Sequence, residues 1–291
     1  MITHPNVKVN LGLNILRKRS DGYHDLETLF VPYYGNSDTL EIIEGDDFSH
    51  TSASLFARYG QKLVQGISAN GKLMISIASK DGINWNPLED LCSKAYFLMD
   101  EKHKLPPVKI FLEKTVPVGA GLGGGSSDAA FTLKMLSDMF ELHLDNNILA
   151  EYASELGSDC PFFIYNSPMI GKGKGNILTA YDLHNISFGK EDAGCEYELK
   201  VITPQNIAIS TAEAYRNIIP IENSKTEIKP LEEVLCKPVE EWKNLLFNGF
   251  ETTVFKVHPE LAKIKQSLYD SGAIYASMSG SGSALFGIYR K

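Results

Sequence analysis

Residues 117–130 read PVGAGLGGGSSDAA, with glycines at 119, 121, 123, 124 and 125 followed by Ser126 and Ser127. Glycine lets the backbone curl until successive N–H groups converge, and a helix that follows adds the positive end of its dipole to whatever they hold. This is anion-binding architecture, to which the serine hydroxyls add further ligands for phosphate or Mg²⁺. Ala129, Leu133, Leu136 and Phe140 recur behind it at three- and four-residue spacing, which predicts a helix with one apolar face. A surface loop that binds nothing would expose the backbone entropy of five glycines in seven residues without return.

Three familiar phosphate motifs compete for this stretch. Walker A requires GxxxxGK[ST], and no Lys follows these glycines. Gly119, Gly121 and Gly124 satisfy GxGxxG, but a dinucleotide fold would continue into a strand ending in an acid, and the pattern continues into two helices. A protein kinase is excluded by the lack of HRD and DFG. A second cluster, SMSGSGS at 277–283, leaves two readings open: a Gly-Ser hairpin, or a second clamp on a polyanion.

Working outward, Val7, Val9, Leu11, Leu13 and Ile15 alternate with Lys8, Asn10, Gly12 and Asn14, a period-2 strand. Further strands are expected at 28–33, 39–43, 73–78 and 108–112, and a helix through Leu91, Ala95, Leu98 and Met99. Asp145 is a good N-cap for a second helix, which stops at Gly157. The polar segment 181–197 reads as a loop. Beyond it come a strand at 199–203, helices near Ala212, Trp242 and Leu261 with Pro259 in a first turn, and a closing strand at 283–289. The class is α+β in two domains, 1–160 and 161–291.

The chain has 291 residues, 28 Lys plus Arg against 36 Asp plus Glu, and a formal charge of −8. A broadly basic surface for nucleic acid or an anionic membrane is thereby excluded. Four cysteines without CxxC spacing argue against a disulfide framework or structural zinc. Polar Asn6, Lys8, Asn10 and Asn14 interrupt the N-terminal stretch, and no window approaches the roughly 20 apolar residues of a spanning helix, so a cytoplasmic location is expected.

Three segments in order, VKVNLGL at 7–13, PVGAGLGGGSSDAA and SMSGSGS, resemble the three motifs of the GHMP small-molecule kinases. Within that superfamily, SDGYHDLETLF at 20–30 and LGSDCPFF at 156–163 resemble the branch whose acceptor is a CDP-linked polyol. The resemblance implies ATP-dependent phosphorylation of an acceptor hydroxyl, with Mg²⁺ as chemical companion to ATP. It also implies an N-terminal domain like the second domain of ribosomal protein S5 and a ferredoxin-like C-terminal domain. A sibling kinase with a mevalonate, homoserine or sugar acceptor, and a nucleotide sensor without catalysis, are the competing readings. A monomer or weak homodimer is expected.

By the same resemblance Asp159 is the general base and Lys8 lies by the acceptor hydroxyl, stabilising the transferring group. The phosphate cradle is Pro117, Gly119, Gly121, Gly123, Gly124, Gly125, Ser126 and Ser127. Asn10, Tyr23, His24, Thr28, Tyr215, Gly280 and Ser281 bind substrate, with Tyr23 stacking on the cytosine, His24 bonding its polar edge and Tyr215 closing the other face. From the residues alone, Asp159 also reads as a turn aspartate, Lys8 as a solvent-facing lysine on an edge strand, and DGYH as a plain turn. Asp90 stands where the family usually has Asn, and Gly249 where Asp is common. Asp128 is expected to point away from phosphate or toward Mg²⁺, whose ligands no carboxylate cluster announces.

Overall fold

The computed structural model describes residues 1–45, 57–190, 194–205, 207, 209–216, 218–223 and 229–291. It divides into two compact units: Met1–Asn6, Asn36–Pro117 and Gly124–Tyr165 form the first, and Val7–Gly35, Val118–Gly123 and Asn166–Lys291 the second. The chain last passes from the first unit to the second after Tyr165. Residues 7–35 nonetheless join the C-terminal residues, because their strands are laddered to one another and to β8 (Met169–Lys172).

The first unit carries a five-stranded sheet in the order β1 (Ile2–Thr3), β4 (Thr39–Glu44), β7 (Val108–Lys114), β6 (Leu73–Ser79) and β5 (Leu63–Ile67). Ile42 pairs with Ile110 across the antiparallel β4–β7 ladder, and Ile75 with Ile110 across the parallel β6–β7 ladder. Leu40, Leu112 and Ile77 repeat the register two residues on, and all six side chains are fully buried. Period-2 side-chain alternation makes these one apolar face of the sheet.

The longer helices of this unit are α1 (Leu91–His103), α2 (Gly124–Met139), α3 (Asn146–Leu156) and α4 (Cys160–Tyr165). The expected apolar stripe of α2 is real, with Ala129, Leu133 and Leu136 fully buried. Asp145 caps α3 by accepting from the N–H groups of Asn147 and Ile148, and the helix stops at Gly157. Asp90 caps α1: its Oδ1 accepts from Cys92 N and its Oδ2 from Trp85 Nε1. A helix-capping task accounts for an acid at this position.

In the second unit β2 (Asn6–Lys18) and β3 (His24–Ser37) begin a sheet that continues through β8 to β9 (Ile177–Ala180). A second sheet runs β10 (Ile186–Ser187), β11 (Tyr197–Ile202), β13 (Leu285–Arg290), β12 (Tyr275–Met278). The segment 181–197 is therefore not all loop: Ile186 and Ser187 are buried and pair in parallel with Tyr197 and Glu198, while 191–193 lie outside the described residues. The helices are α5 (Thr211–Tyr215), α6 (Leu231–Leu235), α7 (Glu251–Val257) and α8 (Pro259–Asp270), which has Pro259 in its first turn. The element around Trp242 is a 3-10 helix, Val239–Asn244, rather than an α-helix. Leu13, Ile15, Ile209, Val254, Leu261, Leu268, Met278 and Leu285 pack into one core here.

Candidate active site

Strand β2 sets the first half of the site. Side chains two apart on a strand share a face about 7 Å apart, so Lys8 and Asn10 point the same way. The Lys8 ammonium bridges that gap, donating to Asn10 Oδ1 at 2.6 Å and to the Gly121 carbonyl at 3.0 Å. Asn10 Nδ2 donates to Thr28 Oγ1 at 3.0 Å, and the Thr28 hydroxyl donates onward to the Gly12 carbonyl at 2.5 Å. Phe30 places its ring 5.5 Å from the ammonium. Lys8 is only 3% exposed, so its reading as a solvent-facing edge lysine is wrong, although β2 does form the edge of its sheet. Two glycine loops cover the face that alternation alone would leave to water.

Those loops meet backbone to backbone. Lys8 N donates to Leu122 O at 3.0 Å, Ala284 N to Ala120 O at 3.0 Å, and Ser279 Oγ to Gly121 O at 3.1 Å. Gly121 has φ +74°, and a Cβ there would fall 2.2 Å from Ser279 O and 3.0 Å from Gly282 N. Gly280 mirrors it, with φ +54° and a would-be Cβ 3.0 Å from Gly121 O and 3.3 Å from Asn10 Oδ1. The second cluster joins the antiparallel β12 and β13 as a hairpin and also closes on the first loop, with Ser281 half-buried at its tip. Left-handed φ values alternate along the first loop at Gly119, Gly121 and Gly123, the pattern that turns N–H groups toward a common anion.

The loop's second half opens α2 in the first unit. Ser126 is half-buried and hydrogen-bonds the Cys160 side chain, whose thiol burial pushes up to about 12. Ser127 is wholly buried and donates its hydroxyl to the Asn6 carbonyl at 2.6 Å, which fastens the loop. Gly125 is exposed and Gly124 half-buried at the helix start, while Pro117 and Gly119 are exposed. Asp159 is half-buried and directly precedes α4 in this same unit.

Asp128 points away from the loop surface. Its Oδ2 accepts from Lys114 Nζ at 2.5 Å, and the same ammonium pairs with Asp38. Asp38 Oδ1 in turn accepts from Thr115 N at 2.6 Å and Val116 N at 2.8 Å, the residues leading into the loop. Two carboxylates to one ammonium leave this buried cluster acid-rich, and among the described residues Asp128 Oδ1 has no hydrogen-bond partner. Burial, with the charges of Asp38 and Asp90, pushes the Asp128 carboxyl up to about 8 against the pull of Lys114. Burial opposes the Lys114 charge too, but Asp128 and Asp38 outweigh it and hold that group above the ordinary lysine range.

In the second unit His24 stacks on Tyr215, ring centroids 4.7 Å apart and planes 17° from parallel. Tyr215 meets Phe250 edge-on at 4.8 Å. Burial, then the charge of Lys18, lowers the His24 pKa, so its ring is neutral at pH 7 and offers one donor and one acceptor. Tyr23 stands on the β2–β3 turn and is 59% exposed. The turn is braced: Arg19 N donates to Tyr23 O at 2.8 Å, Tyr23 N to Asp21 Oδ1 at 3.1 Å, and the Arg19 side chain spans Asp21 and Asp25.

The structure brings Lys8, Asn10, Thr28, Gly121 and Gly280 together, and separately His24 with Tyr215. Asp159 lies in the other unit with Ser126 and Ser127. Sequence reasoning missed Asn248. This buried residue donates Nδ2 to Met278 O at 2.7 Å and Gly280 O at 2.9 Å, and accepts from Phe250 N, holding the second loop. Its neighbour Gly249 donates N–H to Leu13 O at 2.8 Å, and a Cβ there would meet that oxygen at 3.3 Å. Glu251 assists by accepting from Met278 N and Ser277 Oγ. A lone Asn before Gly was the available signal. Lys114, the charge that closes β7 just before the loop, was another.

Residues 90–167 match the GHMP kinases N terminal domain and 231–291 the GHMP kinases C terminal domain. A 4-diphosphocytidyl-2-C-methyl-D-erythritol kinase from Azobacteroides pseudotrichonymphae is 43% identical over 100% of this chain and 94% of its own length. A crystal structure of 4-(cytidine 5'-diphospho)-2C-methyl-D-erythritol kinase superposes with TM-score 0.72 at 28% identity, covering 99% of this chain and 89% of that one. A homoserine kinase from Cytophaga hutchinsonii has TM-score 0.62 at 16% identity over 99% of this chain and 86% of its own, a likeness of fold alone. With relatives this similar over its whole length, the chain belongs to the 4-diphosphocytidyl-2-C-methyl-D-erythritol kinase family of the GHMP kinases.

Proposed function

We propose that the chain transfers a phosphoryl group from ATP to a hydroxyl of 4-diphosphocytidyl-2-C-methyl-D-erythritol, a step in non-mevalonate isoprenoid precursor synthesis. One observation carries the reading: a buried ammonium, Lys8, is fixed by Asn10 beneath two interlocked glycine loops, in a chain 43% identical to a kinase of that name. Phosphoryl transfer to an alcohol is largely a matter of positioning and charge stabilisation. The N–H groups of the 119–125 stretch and the α2 N-terminus receive ATP phosphates, Lys8 meets charge on the transferring group, and Asp159 takes the acceptor proton. Asn10, Thr28, Gly280 and Ser281 hold the polyol part. Tyr23, His24 and Tyr215 receive the cytosine.

Mg²⁺ is proposed as a companion carried on the ATP phosphates. Among the described residues no group of three or more His, Cys, Asp or Glu side chains forms a metal site, and Asp128 is committed to Lys114. Magnesium commonly keeps several waters and only one or two protein carboxylates, so this donor set is compatible with it. A cytoplasmic location and a monomer or weak homodimer belong to the same proposal. Among the described residues no helix is long and apolar enough to cross a membrane.

The test is ADP formation with Mg²⁺–ATP and a panel of acceptors. Turnover is expected only with the cytidyl-diphosphate polyol. Equal turnover with mevalonate, homoserine or a sugar would replace the reading with another GHMP kinase activity. Asp159→Asn is expected to abolish turnover while ATP still binds; survival within about tenfold would remove Asp159 from the base role, since general bases contribute about 10²- to 10⁴-fold.

A further inference from the structure

Lys174 sits at the tip of the β8–β9 hairpin, between Gly173 at φ +65° and Gly175 at φ +93°. Its Nζ lies 4.6 Å from the centre of the Tyr23 ring. The two segments are fastened to each other, because Leu26 N, at the start of β3, donates to Gly173 O at 2.7 Å. The hairpin tip is itself ordered by Lys174 N donating to Asn176 Oδ1 at 3.2 Å. An exposed aromatic ring and a cation therefore stand side by side on two hydrogen-bonded turns.

The charges around this pair are unevenly matched. Arg17 and Arg19 are consumed by Asp25 and Asp21, and Lys172 by Glu27 and Glu232. Asp21 feels the Lys174 charge, but Arg19 takes its carboxylate at 3.1 Å. Among the described residues no carboxylate lies within ion-pair distance of Lys174 Nζ. What the ammonium has instead is the ring face, a weak partner at an exposed site. A stacked base outweighs such a contact.

We propose that Lys174 is a specificity-determining residue for the diphosphate of the acceptor: the pyrimidine takes the Tyr23 face, and the displaced ammonium turns on its flexible stem to the phosphates attached to that base. The inference rests on the reading that the acceptor carries a cytidyl diphosphate, and deepens it. It assigns two parts of one ligand to two neighbouring side chains. Tyr23 reads a flat base and Lys174 reads the adjoining anion, so a nucleoside without phosphates gains nothing from the lysine.

Calorimetric titration of wild-type protein, Lys174→Met and Lys174→Arg with cytidine and with CDP tests the assignment. Lys174→Met is expected to weaken CDP by roughly threefold to tenfold and leave cytidine unchanged or slightly tighter, while Lys174→Arg retains most of the CDP affinity. The CDP affinity of the wild type should also fall more steeply with salt than that of Lys174→Met. Equal weakening of both ligands would make the lysine a mere support for the ring and overturn the proposal, as would no change in either. A wild-type protein that bound neither ligand would overturn the cytidyl reading along with it, whereas cytidyl binding indifferent to Lys174 would overturn this inference alone.

Discussion

Lys8 Nζ and Asn10 Oδ1 are 2.6 Å apart on one face of a single strand, and both residues are buried. A lysine in such a place loses hydration that only fixed acceptors return, and Asn10 with the Gly121 carbonyl returns it. The geometry locks the ammonium direction before any substrate arrives, which is the condition for electrostatic stabilisation without reorganisation. Lys8→Met should cut kcat by about 10²- to 10³-fold. Because it leaves Asn10 Oδ1 without the Lys8 donor, while Gly121 O keeps Ser279 Oγ, it should also cost about 1–3 kcal/mol of stability. Steady-state kinetics beside urea unfolding separates the two effects; a stability loss with kcat intact would leave Lys8 a structural residue.

Gly121→Ala tests whether the two loops need their backbone contact. A Cβ 2.2 Å from Ser279 O cannot be accommodated by a side-chain shift, and φ +74° is itself unfavourable for alanine. The variant should lose about 1–3 kcal/mol through backbone strain alone. It should also bind ATP more weakly, since the N–H array is pulled out of register. Gly125→Ala is the control for stability alone: the nearest atom to its Cβ would be Leu91 Cδ1 at 3.8 Å, and its backbone is helical. A comparable loss of stability from both changes would contradict the loop-contact argument.

Much of this was legible in the sequence, and the parts that were not share a cause. Val7 to Ile15 announced a strand by period, and Asp145 with Gly157 bracketed a helix, because those signals are local. Lys8 looked outward because alternation cannot say what lies over a face, and here that cover is backbone from residues more than a hundred positions away. The motif says nothing of Ser127's partner, because its hydroxyl closes on Asn6, far away in sequence. Asp128, Lys114 and Asp38 form one cluster from three separated segments, and none of their spacings marks it. The division of the chain followed the same logic: β2 and β3 are N-terminal in sequence but laddered to C-terminal strands.

The Asp128 carboxyl provides a pH prediction. Its pKa is about 8 in the folded protein against an ordinary value of 3.8, so the folded state binds the proton more tightly than the unfolded chain. Its contribution is fully present below pH 3.8 and is lost as pH rises through 8. Urea unfolding of wild type and Asp128→Asn between pH 5 and pH 8.5 should show wild type losing stability relative to the variant. The relative slope is at most about 1.4 kcal/mol per pH unit. A difference that stays flat, or that favours wild type as pH rises, would mean that Lys114 keeps Asp128 ionised throughout.

Tyr23 and His24 separate recognition from stability. Tyr23 is 59% exposed, so Tyr23→Ala should leave the unfolding midpoint nearly unchanged. If it stacks on the acceptor base, KM for the cytidyl substrate should rise by about 5- to 150-fold, corresponding to 1–3 kcal/mol, while KM for ATP holds. Tyr23→Phe should behave as wild type. The lowered His24 pKa adds a window: the neutral ring persists to below pH 6.5, so acceptor affinity should fall only under that value. A His24→Gln variant should not show that fall.

Asn248 offers the sharpest discrimination between shape and charge at the second loop. Its amide nitrogen serves two carbonyls, Met278 O and Gly280 O, and its oxygen serves Phe250 N. Asn248→Ala strands buried backbone groups and should cost about 2–4 kcal/mol, less than the sum of separate losses because the loop relaxes. Asn248→Asp keeps the shape and the bond from Phe250 N but turns a carboxylate oxygen toward two carbonyl oxygens. It should therefore be at least as damaging as Ala, whereas a purely space-filling residue would tolerate it. The functional readout follows from the loop's contacts: Gly280 abuts Asn10 and Gly121, so both variants should lower kcat beyond what unfolding explains at temperatures where the protein remains folded. If kcat holds in Asn248→Asp while stability falls, the second loop keeps its working shape without the amide, and Asn248 is only an anchor.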